Sequence, residues 1–188
     1  LVFGDIALAL PDAGLVQAAL FEGIRHHGVD ALPWREPQRV LRQRLAFAHT
    51  LDPSWPDASD EVLLASLDVW LGPHTGGIKK LDDFARVDLG AALLNRLSWE
   101  QRRLLDTVAP ERIEVPSGSR IAVDYADPLS PVLAVRLQEM FGLTATPLVG
   151  GGRVPLTLHL LSPAGRPMQV TRDLASFWAT GYFDVRKD

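Results

Sequence analysis

The segment IEVPSGSRIAVDY, residues 113–125, decides how the rest of the chain is read. Ile113 and Val115 alternate with polar neighbours, Pro-Ser-Gly-Ser supplies turn chemistry, and Ile121 and Val123 resume the alternation. Period-two hydrophobicity on both sides of a glycine-containing turn is a β-hairpin signal. Before Pro110 the apolar residues recur at helical spacings instead, so the chain changes structural class here. The fold class expected is α+β: an N-terminal helical bundle followed by a small module of two β-hairpins, each followed by a helix.

Upstream, Leu15, Ala18, Ala19 and Glu22 share one face of a first helix, which Gly23, Gly28 and Pro33 break. A second helix is expected over Pro37 to His49, with Leu41, Leu45 and Ala48 on one side and Arg35, Arg39, Arg42 and Arg44 on a solvated one. Asp57 or Ser59 caps a third, whose Leu63, Leu64, Leu67, Trp70 and Leu71 carry the strongest periodicity in the chain. Leu89, Leu93, Leu94 and Leu97 form another stripe, and Ser98 with Gln101 has the spacing of a capping box opening a last helix to Val108.

Downstream, PVLAVRLQEMFGL is expected as a helix using Val132, Val135, Leu137 and Met140 and ended by Gly142. VPLTLHLL, SPAGR and PMQVT give a second hairpin, and Asp173 caps the helix DLASFWATGYF. The domains expected are 1–13 as the end of a strand from an upstream domain, 14–109 as a helical domain, and 110–188 as the α+β module. Beginning at Leu1 in strand-like sequence, the chain reads as a piece of a larger polypeptide.

Composition narrows the function. A chain of 188 residues, 47% hydrophobic, can bury a full core. Its net charge of −4 gives no global positive field for nucleic acid or an anionic membrane. Residues 110–188 hold eight basic and eight acidic side chains; of 19 and 23 in all, 11 and 15 remain for the helical part, which is mildly acidic. The absence of cysteine excludes disulfides and thiolate chemistry and suits a reducing cytoplasm. The opening LVFGDIALAL carries Asp5 and no basic region, a poor signal peptide, and no apolar run approaches the ~18 residues a membrane helix needs, so no membrane partner is expected.

Catalytic signals are weak. Gly150, Gly151 and Gly152 lack the Lys-Ser/Thr of a phosphate loop and read as a flexible entry into the Val154 strand. His26, His27, His49, His74 and His159 show no metal-ligand spacing. His159 reads as a half-buried strand residue, and His26 and His27 as loop residues. The close carboxylate pairs are Asp82 with Asp83 and Asp124 with Asp127, the last an ordinary turn residue before Pro128. Ser117 and Ser119 belong to a hairpin turn and not to a nucleophile elbow. The candidate site is instead the set Arg120, Arg153, Arg166 and Arg172, at turns and strand ends, where guanidinium forks could meet phosphate.

Several long blocks then carry a resemblance. VPSGSRIAVDY, PVLAVRLQEMFGL, GGRVPLTLHLLSPAGRPMQVTRDLASFW and VRKD, preceded by LFEGIR, ALPW, WPDASDEVLLASLDVWL and LSWEQ, together resemble the C-terminal region of HrpB-type bacterial ATP-dependent helicases of the DEAH-box class. The resemblance implies an accessory region that packs on RecA-like motor domains upstream in the same chain, possessing no catalytic residue of its own. ATP and Mg2+ are expected in those motor domains, with no cofactor in this region. Single-stranded RNA or DNA is the partner that the four arginines would meet. The alternative is a protein docking module with no nucleic-acid contact, using apolar surface such as Trp178, Tyr182 and Phe183. A small-molecule enzyme is a distant third reading.

Overall fold

The computed structural model describes residues 12–186, so the strand expected over the first residues lies outside them. The Asp12 carboxylate accepts from the Gly14 amide at 2.7 Å and opens helix α1 (Ala13–His27). The helix buries Phe21 and Ile24, with Val16, Gln17 and Leu20 half-buried. Leu15, Ala18, Ala19 and Glu22, the face expected from the periodicity, are exposed. Alanine and leucine favour a helix wherever they fall, whereas the aromatic Phe21 repays burial with more area and sets the rotation. His26 and His27 end α1 and are not on a loop.

Helix α2 (Glu36–Leu51), α3 (Asp60–Ala65), α4 (Leu67–Trp70), α5 (Leu89–Leu94) and α6 (Trp99–Val108) follow. Ser59 caps α3, and Ser98 and Gln101 make the reciprocal capping box of α6. Packing groups these elements into two compact units that interleave along the chain. One takes Ala58–Arg96 with the described residues as far as Arg39; the other takes Val40–Asp57 and everything from Leu97. Within the first, Trp34 stacks on Trp70 at 6.2 Å, and each indole N–H reaches a carbonyl, Val29 and Leu63 respectively, both at 2.9 Å.

The second unit contains a five-stranded sheet of β1 (Arg112–Glu114), β2 (Arg120–Asp124), β3 (Val132–Arg136), β6 (Thr157–Leu161) and β7 (Pro167–Thr171), in that spatial order. A two-stranded ribbon pairs β4 (Leu148–Val149) with β5 (Val154–Pro155). The α+β class holds, with both expected hairpins present as β1–β2 and β6–β7. Residues 132–140 differ from expectation, being strand β3 and then a 3-10 turn over Leu137–Met140 in place of a helix. Leu133, Val135 and Leu137 are buried at period two, and Val132 and Val135 are β-branched, so a central strand satisfies both burial and rotamer preference. After β7 the chain forms a continuous helical segment, α7 (Leu174–Ser176), a π turn (Phe177–Gly181) and α8 (Tyr182–Val185), with Asp173 as its cap.

Arg44 is buried, at 4% exposure. Its Nε donates to the Ala109 carbonyl at 2.6 Å, Nη2 to Asp106 at 2.6 Å and Nη1 to Glu111 at 3.1 Å. The helix face expected to be solvated therefore carries one buried arginine that ties α2 to the entrance of the sheet. Nearby, Tyr125 packs against Phe47 with centroids 5.1 Å apart and donates to the Pro110 carbonyl at 2.6 Å. Burial pushes its phenol pKa well above the ordinary value, against a smaller opposing pull from Arg44. Gly150 turns the β4–β5 ribbon at φ +67° and donates to the Val108 carbonyl at 2.7 Å; a Cβ there would lie 2.7 Å from Leu51 Cδ1.

These contacts predict stability changes. Arg44→Ala leaves the buried Ala109 carbonyl without its donor and should cost about 2 kcal/mol in a urea melt. Asp106→Asn, on a side chain 89% exposed, should cost less than about 1 kcal/mol. Gly150→Ala should destabilise by about 2–4 kcal/mol through left-handed strain plus overpacking, whereas Gly151→Ala, with open space around its added methyl, should cost about 1 kcal/mol. Because folding raises the Tyr125 pKa, its stabilising contribution is complete below the ordinary value near 10 and declines as pH rises above it. Tyr125→Phe should flatten that alkaline limb relative to the parent chain.

Candidate nucleic-acid interface

Strand direction settles which arginines meet. β2 runs antiparallel to β3, β3 parallel to β6, and β6 antiparallel to β7. The start of β2, the ends of β3 and β6, and the start of β7 therefore lie along one end of the sheet. Arg120 begins β2, Arg136 ends β3, and Arg166 directly precedes β7. In β2 and β3 the buried residues are Val123, Leu133 and Val135, so alternation puts Arg120 and Arg136 on the opposite, exposed face. Adjacent strands separate those two backbones by ~5 Å, and Arg166 lies about two strand spacings, ~10 Å, from Arg136 and about three, ~14 Å, from Arg120.

All three are exposed, and among the described residues no ion pair or hydrogen bond engages their guanidiniums. Glu114 is the cross-strand partner of Arg120, and Arg112 lays its own guanidinium on the Arg120 carbonyl at 3.0 Å. The end of the sheet is thus locally basic within a module whose overall charge is neutral.

The other two candidates lie elsewhere. Arg172 follows β7 at the opposite end, where Nε donates to Thr157 Oγ1 at 2.8 Å and Nη2 to Ser130 Oγ at 2.6 Å. Its carbonyl accepts from Thr146 at 2.8 Å, and the same threonine accepts from the Leu174 amide. These bonds make Arg172 a latch between three loops. Arg153 donates to the Gly150 carbonyl at 3.1 Å beside the β4–β5 turn. The Ser54 amide and hydroxyl first, and Arg153 after them, hold the Asp52 carboxyl below the usual carboxylate range. Arg136 is the residue that sequence reading missed, because a helix over 132–140 hides it among ordinary surface positions. The period-two spacing of Leu133, Val135 and Leu137 was the signal that could have found it.

Most of the remaining sequence candidates have structural roles. The three glycines Gly150–Gly152, all at positive φ, turn the β4–β5 ribbon. The Asp83 carboxylate accepts from the Lys79 and Lys80 amides and pairs with Arg86, which together hold its pKa low. Asp124 and Asp127 accept from the amides two residues on. His159 is half-buried in β6, between Ala134 and Val170 in register. Among the described residues no group of three or more potential ligands could hold a metal ion, and no helix is long and apolar enough to cross a membrane. Of the apolar candidates, Trp178 is half-buried and donates to the Leu143 carbonyl at 2.7 Å, Tyr182 is half-buried, and Phe183 is exposed.

The family model described as "ATP-dependent helicase C-terminal", HrpB_C, matches residues 70–188. The ATP-dependent RNA helicase HrpB of Escherichia coli strain K12 is 44% identical over 183 residues, covering 96% of this chain and 23% of that protein. A crystal structure of the E. coli DExH-box NTPase HrpB superposes with a TM-score of 0.86 at 44% identity, over 96% of this chain and 22% of that one. A second, of the E. coli DEAH/RHA helicase HrpB, gives 0.80 at 42% identity, over 96% and 23%. This chain spans under a quarter of the length of the relatives it matches. With over half of its residues inside the family model and a matching fold over 96% of its length, the chain belongs to the HrpB-type ATP-dependent helicase C-terminal family.

Proposed function

We propose that this chain works as the non-catalytic C-terminal accessory region of a longer ATP-dependent helicase polypeptide, packing on RecA-like motor domains and guiding a single nucleic-acid strand, in the first instance RNA. ATP and Mg2+ belong to the motor domains in this reading. The observation that carries it is the alignment of Arg120, Arg136 and Arg166 at one end of the five-stranded sheet, with their guanidiniums uncommitted. Guanidinium forks match phosphate oxygens bidentately, and a row of them spaced by strands follows a backbone without reading its sequence. The neutral charge of the module adds no phosphate attraction beyond these side chains and by itself favours the protein-docking alternative. In this reading Arg153 and Arg172 brace loops away from that end of the sheet.

Fluorescence anisotropy of labelled oligouridylate at about 50 mM and about 200 mM salt tests this. Replacing Arg120, Arg136 and Arg166 together with glutamate should weaken binding at least tenfold at the lower salt and reduce the salt slope by about 2, at ~0.7 per single-strand phosphate contact. Arg153→Glu should change affinity by less than about threefold. Unchanged affinity in the triple variant would sink the strand-guiding reading and leave docking onto protein as the role of this surface.

A further inference from the structure

The sheet face that carries Arg120 and Arg136 has no second layer over its centre. The opposite face buries Val123, Leu133, Val135, Leu158 and Leu160, whereas Ala122 of β2, Ala134 of the central strand β3 and Val170 of the edge strand β7 are exposed, Val170 by 60%. A solvated sheet face is ordinarily polar along its strands. Here the register assembles an apolar row instead. Continuing the pairing of β2 with β3 sets Ala122 across from Ala134, Ala134 pairs with His159, and His159 with Val170. Two residues along each strand, ~7 Å away, lies a second row: Arg120 across from Arg136, Arg136 paired with Leu161, and then the turn that holds Arg166.

The surroundings fix which way a ligand lies. On the far side of the apolar row stand Asp124, Val132 and Thr157, the last buried and bonded to both Arg172 and Ser130. That end is closed and carries an acidic group, while the arginine end is open. Glu114, across from Arg120, bounds the cationic row at β1, and Arg112 bounds the apolar one with its guanidinium on the Arg120 carbonyl. His159 is half-buried between Ala134 and Val170, and among the described residues no hydrogen bond, ion pair or ring contact engages its imidazole. An aromatic ring on an open sheet, with uncommitted guanidiniums one row away, suits a ligand with two parallel lines of chemistry, anionic groups beside flat rings. A single nucleic-acid strand has that form. An extended acidic peptide would meet the arginines, but its side chains alternate to both sides of the backbone and give the apolar row no line of rings.

We propose that the row Ala122, Ala134, His159 and Val170 receives the unpaired bases of a strand whose phosphates run along Arg120, Arg136 and Arg166, with His159 as the ring on which one base stacks. This rests on the strand-guiding reading and adds a second contact to it, tolerant of sequence because every base has a π face. The nucleic acid then crosses β2, β3, β6 and β7 in turn, at right angles to them, with its bases toward Asp124 and its phosphates toward the open end of the sheet.

The test compares oligouridylate with an abasic oligomer of the same length and charge, both read by fluorescence anisotropy on the whole chain. His159→Ala should weaken oligouridylate binding about tenfold and leave the salt slope and the abasic affinity unchanged. His159→Phe keeps a stacking ring and should hold affinity within about threefold. Ala134→Trp, at an exposed strand position that accepts an aromatic ring, puts a reporter in the row: oligouridylate should quench the added emission and the abasic oligomer should not. Urea melts verify that each variant is folded. Equal affinity of the parent chain for both oligomers, undiminished oligouridylate binding by a folded His159→Ala, or unquenched emission from a folded Ala134→Trp overturns the proposal. The arginine triple variant separates the two ideas, because it should weaken both oligomers alike. Loss in the arginine variant without loss in His159→Ala leaves strand guidance standing and removes the base row. If neither oligomer binds, both readings fall, and weaker association of Ala134→Trp with the motor domains would then make this face a protein contact.

Discussion

The parallel pairing of β3 with β6 is the constraint on which the second unit is built. Two parallel neighbours cannot be joined by a tight turn, because the chain must travel back the length of the strand before starting again. Residues 137–156 make that return, and they use no long helix to do it. They contain the 3-10 turn, the β4–β5 ribbon and the three-glycine turn. The same return sends β3 and β6 out at one end of the sheet, which is why Arg136 stands level with the turn that carries Arg166. Site and topology are one fact seen twice.

A crossover without a helix has little hydrophobic face of its own, so it must be pinned. Gly150 does this at one point, with its amide on the Val108 carbonyl and no room for a Cβ beside Leu51. Thr146 does it at another, bonded to the Arg172 carbonyl and the Leu174 amide. Arg44 anchors the framework receiving these pins. Its charge is affordable at 4% exposure because Asp106 and Glu111 keep their carboxylates in water while the guanidinium is shared with a buried carbonyl.

Local chemistry made much of this legible in the sequence. Ser98 with Gln101, Ser59 before its leucine stripe, Asp173 before the last helix and the Pro-Ser-Gly-Ser turn all act within a few residues, and all are found as written. Failures arose where partners distant in the chain decide. The rotation of α1 depends on where Phe21 finds its cavity. The strand at 132–136 depends on β6, more than 20 residues away, and no local rule distinguishes its short apolar run from a helix turn. Arg44 looked like one of four solvated arginines because its acceptors at 106, 109 and 111 are invisible from residue 44. Arg136 was lost with the strand that presents it, and the separation of Arg172 from Arg120 follows from strand direction, which puts the start of β2 and the end of β7 at opposite ends of the sheet.

The interleaving of the two units has a consequence for anyone who dissects the chain. The polypeptide passes between them at 39–40, 57–58 and 96–97, and the first of these crossings lies inside the unbroken helix α2. No single cut releases either unit whole. A division at 109–110, where composition changes, would leave Arg44 on one fragment and its Glu111 acceptor on the other, and would part the Val108 carbonyl from the Gly150 amide. Fragments made by trimming at that visible seam would each carry half of a shared core, so solubility or binding measured on them would report exposed interior and not the native surface.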